Sequence, residues 1–381
     1  MTHVLVLGGG FAGLEATVRL RKRGYDVTLV SDRDYLFIYP ISIWIPTGAA
    51  TFESVCFSLK KLESVHGFKL VVAPVKGISA SAQRVFLEGH EPLAYDYLVV
   101  AIGADKVQHP GQEHFVSICG PPEESQRLQQ QLNDLVARGS GSIAVGFGGN
   151  PKDPTGVRGG PAFEVLFNID YFLRKHKVRD KFQLTFFAPM PKPGIRLGEK
   201  ALGMIDVMLG RYDIEKRVGK KIVGFEPDGV LLEGGEKIDS DLTTFIPACT
   251  GKRLLSESDL PLTEAGFIEI DDHCQVVGFE NVYAVGDVAR IEGPQWRAKQ
   301  GHLAHVMARC AAANIDAHRR NIEQRKSYRD HMVIMCVMDT GNGAAFVHRN
   351  DRRGLIIPMP VVGHWLKKAW AWYFKRSNLR R

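Results

Sequence analysis

The chain has 381 residues, 45% hydrophobic and 24% charged, a balance that excludes a disordered polypeptide and suits two or three domains of ordinary size. Its six cysteines, at 56, 119, 249, 274, 310 and 336, are scattered without a Cys-x-x-Cys pair, which excludes a disulfide-stapled secreted scaffold and a zinc ribbon and leaves no metal to expect. The formal charge of +7 is local, because eight Lys/Arg and no Asp/Glu lie from Arg352 to Arg381; the near-neutral body lacks the basic stripes of a nucleic-acid binder.

Met1-Thr2-His3 leads straight into the apolar run Val4-Leu5-Val6-Leu7, so no signal peptide is expected. That run reads as a parallel strand covered on both faces. Gly8 to Gly13 follows, then an amphipathic helix from about Leu14 to Lys22 and a second strand, Val27 to Val30, ending at Ser31-Asp32. The unit is a βαβ. Its Gly8-x-Gly10-Phe11-Ala12-Gly13 turn has the spacing that cradles a dinucleotide: Gly8 for the tight turn, Gly10 for approach to a pyrophosphate, Gly13 for helix–strand packing. Asp32 lies 19 residues past Gly13, where a carboxylate accepts bonds from an adenosine ribose.

Further along, Lys69–Val72, Arg84–Glu88 and Tyr97–Ile102 read as a β-meander returning to the parallel sheet. A second α/β stretch opens at Ser142–Val145, continues through a loop rich in glycine and proline, a helix from about Pro161 to His176 and a strand Phe182–Phe187. Thr243–Ala248 and Asn281–Gly286 read as buried strands, and a helix spans about Ala298 to Arg319. Past about residue 325 the chain changes character, with Met332, Met335, Met338 and Met359, a loop Asp339–Gly343 and three of the five tryptophans.

The loop after the second strand reads Gly146-Phe147-Gly148-Gly149-Asn150-Pro151-Lys152-Asp153-Pro154-Thr155-Gly156-Val157-Arg158-Gly159-Gly160-Pro161. Two glycines fit a second fingerprint. The prolines remove N–H donors that a pyrophosphate would need, and the helix begins late, which weakens the case for a nicotinamide cofactor.

Three segments together, Gly8–Gly13, Tyr95–Gly103 and Asn281–Asp287, resemble the signatures of the two-dinucleotide-domain flavoproteins. The resemblance implies an α/β fold like that of glutathione reductase, with two Rossmann-like domains: an FAD-binding domain over 1–110 and 235–320, and a second over 111–234. A C-terminal membrane or dimerisation module takes 325–381. It implies FAD at the first site, with Gly103 and Gly286 in the cofactor turns and Asp287 on the ribityl and phosphate region. A Cys-x4-Cys pair in the first helix region, the mark of glutathione-reductase chemistry, is absent.

More specifically, the extended second loop ending in Gly-Pro-Ala-Phe-Glu, the run Ser31-Asp32-Arg33-Asp34-Tyr35, the stretch Asp339–Phe346 and the closing helix Trp365–Arg376 resemble sulfide:quinone oxidoreductases and the flavin subunits of sulfide dehydrogenases. That family sets three cysteines near the flavin. Cys119 matches the first, tethered to the cofactor in some members, and Cys336 the last. The middle one is replaced by Arg158, and a histidine expected near Arg196 is missing. A two-thiol sulfur relay therefore lacks one member. By the same resemblance Glu164 relays protons, Lys299 sits by the flavin ring, Arg33 joins the cofactor contacts and Phe346 belongs to a quinone pocket. Cys249, Cys274 and Cys310 read as small core residues.

The segment Val361–Arg376 places Leu366, Trp370, Tyr373 and Phe374 on one helical face, with Lys367, Lys368, Lys375 and Arg376 largely to its sides. It reads as a monotopic helix lying on anionic lipid, the competing reading being a helix packed on its own body or on a second subunit. The expectation is an FAD-dependent oxidoreductase peripheral to the cytoplasmic membrane, homo-oligomeric, passing two electrons from sulfide or a related sulfur donor to a quinone. The alternatives are a type II NADH:quinone oxidoreductase and a flavin-carrying sensor subunit with little turnover.

Overall fold

The structure is a computed structural model and describes residues 1–379. Val4–Leu7, fully buried, forms the middle of a parallel five-stranded sheet in the order Val282–Ala284, Tyr97–Val100, His3–Leu7, Asp26–Ser31, Lys69–Val72. Its central strands read as unbroken apolar runs because both faces are covered. The helix Phe11–Arg21 begins three residues before its expected start, directly at the glycine turn, with Gly10 as its N-cap. It packs on the long helix Gly301–Arg319, which starts three residues later than the expected Ala298.

Lys69–Val72 corrects one expectation. It pairs in parallel with Thr28–Ser31 at the sheet edge, and the meander consists of Val75–Ser79, Arg84–Leu87 and Leu93–Ala94 instead. An edge strand covered on one side carries the mixed burial of a meander strand, so the two look alike in sequence.

The second sheet runs Ile214–Val218, Phe182–Ala188, Gly141–Phe147, Leu242–Ile246, all parallel. Leu242–Ile246 lies beyond the domain boundary expected at 234. The antiparallel strands over 222–239 are an excursion before the chain returns to that sheet. The chain crosses between the two units twice, at Asp105–Lys106 and Cys249–Thr250. These crossings pair antiparallel, with Lys106 directly opposite Cys249.

The last part forms an antiparallel sheet of Ile334–Asp339, Gly343–Arg349 and Gly354–Pro360, followed by the helix Val362–Asn378. Its hairpin turn holds Gly341 at φ +88°, where an added Cβ would stand 2.6 Å from Tyr171. The terminal helix is tied to the body: Phe374 packs on Phe11, with ring centroids 5.4 Å apart.

Candidate flavin and thiol site

One cavity of about 2490 Å³ runs from the first glycine turn to the terminal helix, well above the roughly 300–1,000 Å³ of a drug-sized pocket. At one end Gly8, at φ +105°, turns the chain beneath the helix, and a Cβ there would meet the Ala101 carbonyl oxygen at 2.3 Å. A Cβ on Gly13 would stand 1.8 Å from the Gly8 oxygen, whereas one on Gly10 would meet nothing within 4 Å. Gly10 therefore opens to the cavity, and no side chain caps the helix end behind it, leaving its N–H groups for an anion. Phe11 and Ala12 line the same mouth.

Asp32, one residue past its strand, is exposed, with its carboxylate 3.3 Å from Arg33 Nε. Gly103 and Gly286, at φ +71° and +76°, complete the lining. These residues fit an FAD: a Cβ-free cradle for the pyrophosphate, a carboxylate for the ribose, and room beyond for a tricyclic ring. Asp287, expected at the ribityl end, lines the cavity and is ion-paired with Arg158.

The four expected catalytic residues all line this cavity. Cys119 is half-buried; desolvation pushes its thiol up, against the pull of Lys106 and Arg158. Cys336 lies on the strand Ile334–Asp339, and burial reinforced by Glu164 pushes it up to about 12. Glu164, on the helix Gly159–Lys175, is buried. Its Oε1 accepts the Asp339 N–H at 2.8 Å and a bond from Lys367 Nζ. Burial raises its carboxyl despite Lys367.

Lys299 is buried rather than an exposed helix-start lysine. Its Nζ sits 3.8 Å from the Phe267 ring centroid and donates to the Ala289 carbonyl, and burial brings it down to about 7. Phe346 lines the cavity, as do Leu366, Trp370 and Tyr373 of the terminal helix. Arg196 lines it as well and donates to the Pro154 carbonyl.

Cys249 is a core residue, as expected, 1% exposed and packed with Ala265 and Phe267, and it also borders the cavity. Burial alone would push its thiol up, but Arg158 and Lys106 outweigh that and bring it down to about 7. No local pattern marks this residue: Lys106 reaches it from 143 positions away, through strand pairing. Cys274 and Cys310 remain core residues, as expected.

The second glycine loop does not open onto a helix end. Asn150 is buried with its side-chain amide donating to the Cys249 carbonyl at 2.9 Å, and a Cβ on Gly156 would stand 2.4 Å from that same oxygen. The loop is packed down as wall. The tail expectation also needs correcting. Lys367, read as lying beside the apolar face, is 5% exposed and held by Glu164, and Phe374 is buried. Lys375 donates to the Ser54 and Cys56 carbonyls. A helix docked on a body hides one stripe, and here that stripe contains a lysine. The outward side is Trp365, Trp372 and Tyr373, each more than 60% exposed at 63%, 62% and 62%. Among the described residues no helix is long and apolar enough to cross a membrane.

Residues 2–311 match the model of the pyridine nucleotide-disulphide oxidoreductase family. The chain belongs to that family, and it is an FAD-dependent oxidoreductase. Within it, the chain is similar to the sulfide-quinone reductase of Aquifex aeolicus, with 26% identity over 98% of this chain and 90% of the relative. The X-ray structure of the Aquifex aeolicus sulfide:quinone oxidoreductase shares the fold at TM-score 0.90 and 24% identity, over 100% of this chain and 92% of that one. The chain is also similar to the type II NADH:quinone oxidoreductase of Mycobacterium tuberculosis, 23% identical over 76% of this chain and 68% of the relative.

Proposed function

We propose that this flavoprotein oxidises sulfide, or a related sulfur donor, and delivers two electrons to a membrane quinone. The observation that carries the reading is the continuity of one cavity from the glycine turn, past Cys119, Cys249 and Cys336, to Phe346 and the exposed aromatic side of the terminal helix. The flavin supplies a two-electron acceptor between a water-soluble donor and a lipid-soluble one.

The chain's own residues do the rest. Arg158 and Lys106 attract a hydrosulfide anion to the cavity. Cys336 enters neutral, and Glu164, beside it, accepts the proton that its Sγ–H must release before the sulfur acts as a nucleophile. Phe346, Leu366, Trp370 and Tyr373 give an apolar exit for a quinone ring. Leu355, Ile357, Val361, Val362, Trp365, Trp372 and Tyr373, all exposed, form an apolar side suited to the lipid interface, with Lys368 beside Trp365 at 5.1 Å.

Against a nicotinamide donor stands the second glycine loop, pinned to Cys249 by Asn150 where a pyrophosphate would need free N–H groups. Stopped-flow mixing of the oxidised flavoprotein with sulfide and with NADH tests the reading. Bleaching by sulfide alone is expected. Rapid bleaching by NADH with none by sulfide overturns it in favour of an NADH:quinone oxidoreductase. In Cys336→Ala, sulfide reduction is expected to slow at least tenfold, and a wild-type rate removes that thiol from the reaction.

A further inference from the structure

We propose that Cys249 is a second working thiol of this cavity, a thiolate seated between Arg158 and Lys106 that accepts a sulfur atom from a polysulfide and holds it as a persulfide. The proposal rests on the sulfur-oxidising reading above and adds a residue to it.

The backbone that carries this cysteine is fixed from three sides. Its strand pairs with Asp105–Lys106, setting Lys106 directly across from it. The Asn150 side chain donates to its carbonyl at 2.9 Å, and Gly156 lies so close to that carbonyl that a Cβ would approach to 2.4 Å. The sulfur therefore meets its partners in one geometry. Arg158 Nε donates to Sγ at 3.1 Å and Lys106 Nζ at 3.5 Å. The guanidinium is itself held by its ion pair with Asp287, so it offers its Nε edge to the thiol in a set orientation.

The other charged or titratable groups around it are few. Lys299 adds positive charge, Asp153 offsets part of that charge, and Cys119 stands under the same two cations. The contrast with Cys336 is a matter of partners: the cation that acts on it, Lys367, is already bonded to Glu164. Of the three thiols that line the cavity, Cys249 is therefore the one whose surroundings favour the thiolate. An arginine in place of a cysteine removes one thiol from the wall, and the same arginine ionises another.

Polysulfide is the class of product that two-electron oxidation of sulfide yields when sulfur atoms couple. The Cys249 thiolate attacks the terminal sulfur of the chain, a Cys249 S–S bond forms, and the S–S bond between that sulfur and the next breaks. The electron pair departs on the shortened polysulfide dianion. One thiolate and one dianion become one persulfide anion and one shorter dianion, with no outside oxidant or proton required. The terminal persulfide sulfur keeps the negative charge that Arg158 and Lys106 favour.

The test uses the purified FAD-loaded protein. Alkylation by iodoacetamide is followed peptide by peptide across pH 5.5 to 9.5. Cys249 is expected to label with a midpoint near pH 7, and Cys336 to stay unlabelled. In Arg158→Gln and in Lys106→Met the Cys249 midpoint rises by about one to two pH units, with Arg158→Lys in between. After brief exposure to inorganic tetrasulfide, the Cys249 peptide gains the mass of one sulfur, lost on reduction. In Cys249→Ser no such gain is seen on any peptide.

Failure of Cys249 to label below pH 8.5, a midpoint unmoved in both Arg158→Gln and Lys106→Met, or sulfur found only on other cysteines overturns the proposal. Sulfide bleaching of the flavin, recorded on the same wild-type sample, separates the two readings. Full bleaching with an inert Cys249 sinks this inference alone. A persulfide on Cys249 with no bleaching sinks the sulfide-oxidising function and leaves the nucleophile standing.

Discussion

Lys367, on the terminal helix, donates to Oε1 of Glu164 on the helix Gly159–Lys175, 203 positions earlier in the chain, and both side chains are 6% exposed. The Asp339 N–H donates to the same oxygen at 2.8 Å, while the Asp339 carboxylate receives His364 Nδ1 at 2.8 Å. One buried polar cluster thus fastens the last helix to the second unit beside Cys336. A buried pair of this kind gains little against an apolar replacement, but breaking one side of it leaves an uncompensated charge.

Lys367→Met is accordingly expected to destabilise the protein by about 3–5 kcal/mol, and the pair Lys367→Met with Glu164→Gln by clearly less. Flavin release on thermal unfolding measures both. A loss in the double variant equal to the sum of the losses in Lys367→Met and Glu164→Gln alone would mean the pair is not coupled.

The first glycine turn separates holding the cofactor from holding the fold. Gly10→Val meets open cavity, so it is expected to fold with a near-normal circular dichroism spectrum yet purify colourless. Gly13→Val, whose Cβ would stand 1.8 Å from the Gly8 oxygen, loses both. A yellow Gly10→Val protein with wild-type flavin content would place the pyrophosphate elsewhere.

Lys299 is expected to make stability depend on pH. Burial lowers it from 10.5 to about 7. Below about pH 7 both folded and unfolded chains carry the proton, and the cost of burying the ammonium is complete. Between 7 and 10.5 only the unfolded chain holds it, so stability rises with pH, and above 10.5 the cost is gone. Lys299→Met removes a penalty on the order of a few kcal/mol. Its Tm should exceed that of the wild type at pH 6, with the gap closing toward pH 10. A constant or widening gap contradicts the assignment.

On the proposed function, the outward residues of the terminal helix are expected to set binding to a lipid surface. Substituting Trp365, Trp372 and Tyr373 with alanine leaves the Lys367 anchor intact and is expected to abolish flotation with anionic liposomes, while flavin content stays unchanged. Wild-type flotation should weaken as salt rises, because Lys368 and its neighbours act through screened charge. Flotation of the triple variant at wild-type level would move the lipid contact elsewhere.

Several features of this protein are legible along the chain because they depend on near neighbours. The run Val4–Leu7, the spacing of Gly8, Gly10 and Gly13, and the carboxylate at Asp32 lie within one βαβ unit, where burial on both faces and the needs of a tight turn leave their mark on consecutive residues. The recurrence of Tyr95–Gly103 and Asn281–Asp287 extends that legibility to the two-unit plan. Tertiary structure alone decided the rest. The apolar pattern of the terminal helix identifies a face to be covered, yet nothing local says that Lys367 belongs to that face, since its partner Glu164 arrives on another helix. Cys249 reads as any small residue in a strand until two chain crossings pair and set Lys106 opposite it. Periodicity records which side of an element is buried; which charge stands there to meet it is settled only when distant elements pack.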